Sequence, residues 1–196
     1  MSIAKDLAQL GKLIALHHGW AAAKAFKAYA MQDADGALIS QGAVDLLRVF
    51  PQIPHASALM SAALAVRLEG QMQAPVQVVA GTLAVEGVPV LGDRSAFDGA
   101  QVFASAQPDW DGHVWVMVGA YVVDISIFRI AYSRDAPARL AKHIDLAFGP
   151  NKGLYVDRWK HAAQLGLSYE PHYVLSAEEV TRLMGGAYHA IKQARS

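Results

Sequence analysis

Cysteine is missing from all 196 residues. That excludes disulfides, thiolate metal sites and a cysteine nucleophile. Charge is scarce as well: only 17% of residues are Asp, Glu, Lys or Arg, and the formal net charge is zero. Without a dense Lys/Arg run, nucleic acid is not expected as a main partner, because phosphate binding needs a concentrated basic surface. No uninterrupted apolar stretch approaches the ~18 residues that would cross a bilayer, so no membrane partner is expected. The opening Met1-Ser-Ile-Ala-Lys-Asp6 lacks a basic segment followed by an apolar run. No signal peptide is therefore expected, and the location expected is cytoplasmic.

What is present is apolar. Hydrophobic residues make up 54% of the chain, enough for a single domain over residues 1–196 with a full core. Residues 4–30 have helical spacing and much alanine, with Gly19 a place where the helix can split. Asp33-Ala-Asp-Gly36 is turn chemistry, and Ser40 can cap a short helix over 42–49. From His55 to Glu69 the sequence is apolar on almost every side, the mark of a buried central helix, and Gly70 ends it. The pattern then changes to period two. Strands are expected over 76–80 and, as a hairpin around Glu86-Gly87, over 82–85 and 88–91. Val102–Ala104 is a candidate short strand, 137–148 a helix between Pro and Gly-Pro, and 155–159 and 169–175 extended pieces. Ser176 and Glu179 form a capping box for a last helix reaching Gln193, interrupted at Gly185-Gly186. The fold class expected is α+β, helices first and then a mainly antiparallel sheet.

The stretch that carries chemistry is His113 to Ser126. Gly119-Ala120 supplies a two-residue hairpin turn with Gly first. Pairing Val118 with Tyr121 puts His113, Trp115, Met117, Val122, Asp124 and Ser126 on one face, and an apolar set on the other. His113 and Asp124 then become diagonal neighbours, about 7–8 Å apart at the backbone. Such a pair is either a satisfied core pair or the residue of a site.

A buried helix, then a strand that begins with His and a next strand that ends with Asp, resembles the papain-like cysteine-peptidase superfamily. Within it, the transglutaminase-core and arylamine N-acetyltransferase branches look most similar. His55-Ala-Ser-Ala-Leu-Met-Ser-Ala-Ala-Leu-Ala-Val-Arg-Leu-Glu-Gly70 corresponds to the family's helix, and Val76 to Gly81 to the strand after it. His113-Val-Trp115-Val corresponds to the His motif, and Asp124 to the carboxylate. The resemblance covers residues 50–130 and implies a papain-like fold with extra N- and C-terminal helices. It also implies a site made from residue 55, His113 and Asp124.

The departure lies in the nucleophile, since His55 stands where the family has Cys. The family chemistry needs a thiolate lowered in pKa by His and a helix N-terminus. Three readings follow. A non-catalytic relative keeps the cleft for a small molecule or a protein segment of unidentified nature. A hydrolase or acyltransferase uses Ser57 with His113 and Asp124, although two positions along a helix amount to a rotation of about 200°. A metal site takes His55, His113 and Asp124 as ligands. No cofactor is indicated otherwise. Gln52 is a candidate oxyanion-hole amide. His17-His18 point about 100° apart on a helix and are read as structural or surface. His143, His161, His172 and His189 lack ligand spacing and are read as surface, and the four Trp as core or cleft wall.

Overall fold

A computed structural model describes residues 3–53, 56–95 and 97–195, with residues 3–6 as backbone alone. The chain is α+β, and its antiparallel sheet curls into a half-barrel. Helix α1 (Ile3–Ala28) breaks at Gly19, whose φ of 81° and ψ of 166° are not helical. Helix α2 (Asp33–Val49) begins well before residue 42, because Gln32 and Asp35 cap each other reciprocally. Asp33-Ala-Asp-Gly36 is thus a first helical turn rather than a loop, with two carboxylates at the positive end of the helix. Helix α3 (Ser57–Glu69) is buried at ten of its thirteen positions.

Strand β1 (Val76–Val85) is one continuous strand where two pieces were expected. It has three antiparallel partners: β2 (Val88–Leu91) over 83–85, β3 (His113–Val118) over 76–81, and β6 (Leu167–Val174) over 79–85. The β6 register overlaps both others, so β2 and β3 must share the opposite edge of β1. Beyond β3 come β4 (Tyr121–Asp124) and β5 (Tyr155–Arg158). The hairpin register is the expected one, with Val118 opposite Tyr121, and the turn glycine Gly119 has a φ of 53°. Curling brings Tyr155 of β5 face to face with Tyr169 of β6, at 6.4 Å between ring centroids and 11° between planes. Gly81 makes part of this possible. It lies opposite His113, and a Cβ there would meet the Glu170 carbonyl oxygen at 1.9 Å.

Both faces of the sheet are buried. One carries Val76, Val78, Ala80, Val114, Val116, Val118 and Val123 against α3, α2 and α8 (Ala177–Gln193). Ser61 in the middle of α3 donates to the Val114 carbonyl at 2.8 Å, which satisfies the hydroxyl inside that layer. The other face carries Val79, Leu83, Trp115, Met117 and Val122 against α1, α6 (Ala138–Phe148) and α7 (Trp159–Gln164). Two local expectations are corrected. Residues 99–102 form a helical turn, α4 (Gly99–Val102), capped by the Asp98 carboxylate, so no strand forms at Val102–Ala104. Residues 127–131 form a short helix, α5 (Ile127–Ala131), and α8 runs through Gly185-Gly186 without a break.

Candidate functional site

The hairpin places His113 and Asp124 as their register requires. His113 Nε2 lies 2.6 Å from Asp124 Oδ2, and both side chains are 0% exposed. The His113 ring lies nearly parallel to Trp115, 6.1 Å between centroids and 20° between planes. Asp124 is saturated with donors. Its Oδ1 accepts from the Ser126 amide, the Ser126 hydroxyl and the Ile127 amide, each at 3.0 Å. Its Oδ2 also accepts from the Tyr169 hydroxyl at 3.0 Å. Burial by itself would raise this carboxyl's pKa. The neighbouring His113, the Ser126 amide and Tyr169 together outweigh burial and hold it below the ordinary value. The same arrangement, led by burial and then by the Asp124 charge, pushes the Tyr169 phenol well above its ordinary value.

The pair leaves one atom unanswered. With Nε2 on Asp124, His113 Nδ1 is buried and has no hydrogen-bond partner among the described residues. An imidazole fixed at one nitrogen and free at the other can accept a proton, bind a polar group or ligate a cation.

In front of the pair lies a cavity of about 1130 Å³. Ala56, Ser57 and Met60 of the α3 entry form one wall. Gly112, the residue before His113, and Ser126, which bonds Asp124, line it as well. Val90, Asp93, Trp110, Arg129 and Arg134 stand around the rest. Neither His113 nor Asp124 reaches it: they lie on the Trp115 face of the sheet, whereas α3 packs on the Val114 face. Arg129 of α5 donates to the carbonyls of Leu47, Phe50 and Pro51 at 2.9–3.1 Å and so fixes the end of α2 and the chain that leads into α3.

The expected residues are distributed as follows. His113 and Asp124 come together, with Trp115 beside them. Ser57 is 7% exposed and lines the cavity at the first turn of α3. His55 lies outside the described residues. Among the described residues no group of three or more His, Asp or Glu is placed to hold a metal ion. Gln52 is exposed on the cavity rim. His18 Nε2 lies 2.8 Å from the Leu175 carbonyl and His17 packs edge-on to Tyr173, both structural contacts. Two of the histidines read as surface are half-buried, His172 beside the Thr82 hydroxyl at 3.1 Å and His143 near Gly166. Trp20 is corrected outright: it is 79% exposed, neither core nor cleft wall. Tyr169 and Arg129 were not anticipated. Nothing local marks Tyr169, which is 45 residues from Asp124 along the chain. Only the Ser126 and Ile127 amides had a signal, since an aspartate readily accepts from the backbone two residues on in an Asx-turn.

Compared with protein-family models, curated proteins and solved structures, the chain matches none.

Proposed function

We propose that this chain is a papain-like, transglutaminase-like protein that has lost its nucleophile and keeps the cleft as a non-catalytic binding site for a small molecule or a protein segment. One observation carries this reading. The His113–Asp124 pair is fully sealed and saturated at the carboxylate, yet Gly112, the residue before His113, and Ser126, which bonds Asp124, both line the cavity. A general base must come within hydrogen-bond reach of the proton it takes. A ring with no exposed surface does not meet that condition. What the pair does supply is rigidity. Asp124 ties together the end of β4, the start of α5 and β6. The cavity volume falls above the usual range of about 300–1,000 Å³ for small-ligand pockets and leaves room for an extended segment.

A second reading rests on Ser57. Its hydroxyl lines the cavity at the first helical position of α3, and the free Nδ1 belongs to an imidazole already oriented by a carboxylate. Hydrogen bonds of this kind often tighten only with substrate bound. Turnover of p-nitrophenyl acetate and of a small acyl anilide separates the two. The binding reading expects no turnover above buffer, and no difference between the wild type, Ser57→Ala and His113→Ala. Turnover abolished by both substitutions overturns it in favour of a serine hydrolase. A thermal-shift screen with short peptides and small carboxylates then tests binding itself. Shifts produced by any of these probes are expected to vanish in Ala56→Phe, which fills the cavity wall; shifts unaffected by Ala56→Phe place the binding elsewhere.

A further inference from the structure

The surface of α1 combines two features that its role in the core does not need. Between Leu7 and Gln32 the sequence contains no Asp or Glu, but it has Lys12, Lys24 and Lys27. In a chain of zero net charge, this makes α1 beyond Asp6 a local basic stretch. Its inner side is spent on the fold, with Leu10, Ile14 and Phe26 buried in the layer beneath the sheet. Its outer side is not simply polar. Lys12 and Leu16 before the break at Gly19 are exposed, and so are Trp20, Lys24 and Lys27 after it, the last three at the helical spacing of four and three that shares one face. Leu16 is 76% exposed and Trp20 79%, the two most exposed large hydrophobics together with Leu146. No ion pair or hydrogen bond engages the three lysines among the described residues. Gly19, in a non-helical conformation, sets the break just before Trp20.

We infer that the Trp20–Lys24–Lys27 face of α1 docks on the surface of an anionic lipid bilayer, a peripheral contact and not a span. The chemistry of the strip favours that occupant over others. Tryptophan and lysine are the pair enriched at the membrane–water boundary, the indole at headgroup depth and the ammonium groups on lipid phosphates. Protein–protein interfaces are depleted in lysine and prefer arginine, which α1 lacks. Three lysines are too few for the six to ten phosphate contacts of a typical nucleic-acid site. The earlier expectation of no membrane partner rested on the lack of a spanning segment, and no helix here is long and apolar enough to cross a membrane. A surface contact asks only for a few exposed side chains. The inference is independent of what the cavity binds.

Co-sedimentation of the full chain tests it, with vesicles of phosphatidylcholine alone and of phosphatidylcholine mixed with phosphatidylserine. The expected result is binding to the mixed vesicles only, weakening as salt is raised. Each of Lys24→Gln and Lys27→Gln is expected to reduce the partition coefficient about five-fold, from the roughly 1 kcal/mol that a lysine near an anionic surface contributes. Trp20→Gln should reduce it further without changing the salt dependence. All three side chains are exposed, so the fold is not at stake. Failure to bind mixed vesicles at low salt overturns the inference, as does binding that ignores these substitutions. Binding to polyglutamate but not to vesicles overturns it too, and assigns the strip to an acidic protein.

Discussion

Two His–Asp pairs in this molecule have the same 2.6 Å separation and very different surroundings. His161 and Asp157 are four residues apart where β5 runs into α7, with side chains 55% and 20% exposed. His113 and Asp124 come from two strands and are 0% exposed. At the surface, water competes for both partners, salt screens them, and the side chains lose freedom to meet, so such a pair contributes little. In the core, neither partner has water to fall back on, and removing one strands the other. Distance is therefore no guide to importance. What separates the pairs is where the further partners come from. Among the described residues Asp157 accepts further only from its chain neighbours, the Arg158 amide and the Tyr155 hydroxyl. Asp124 has Ser126, Ile127 and Tyr169 besides the imidazole, and those bonds join three elements of the fold.

The comparison breaks most easily at Asp124. Asp124→Ala leaves two amides, a hydroxyl, a phenol and an imidazole without their acceptor. Urea unfolding is expected to show a loss of about 3–5 kcal/mol, whereas a loss below about 1 kcal/mol would put this pair on the level of the surface one. Tyr169→Phe removes one hydrogen bond to a buried charge and keeps the ring that packs on Trp115 and Tyr155. A loss of about 1.5–3 kcal/mol is expected.

Acidity sharpens the contrast. Asp124 has its pKa lowered in the folded chain, so its contribution is fully present above the unfolded carboxyl value of about 3.9 and is lost as pH falls below it. The stability gap between the wild type and Asp124→Asn is therefore expected to be constant near neutrality and to shrink on acidification below about pH 4. A gap that stays constant into strong acid would mean that the carboxylate is not held ionised. The smallest effect belongs to the surface pair. His161→Ala should change stability by less than about 1 kcal/mol at any salt concentration.

Much of the pair was legible in the sequence because its cause is local. A Gly-first two-residue turn fixes the register, alternation fixes the face, and the two together place His113 beside Asp124. The central helix was legible for a similar reason: a run apolar on every side has only one place to go. The start of α2 was not, since its cap is a Gln, a residue with little preference for that position, and Asp33-Ala-Asp-Gly36 is equally good turn chemistry. Short helices such as α4 and α7 are too brief to show a period. Tyr169 and the cavity walls were invisible because they come from segments brought together only by the curl of the sheet. The exposure of Trp20 was equally hidden. Its position on α1 relative to the core depends on the break at Gly19.

The central claim of the proposal is that the cavity binds without His113 acting as a base, because the His113–Asp124 pair is sealed on the sheet face away from α3. The lack of any native cysteine makes this directly measurable. A single thiol introduced as His55→Cys, with Ser57→Cys as its companion, is titrated by the pH dependence of its alkylation by iodoacetamide. The account predicts that adding His113→Ala leaves the ionisation of either thiol unchanged, since the ring has no exposed surface from which to act. A thiol at either position that ionises well below the ordinary value of about 8.5 and loses that shift when His113→Ala is added would contradict it.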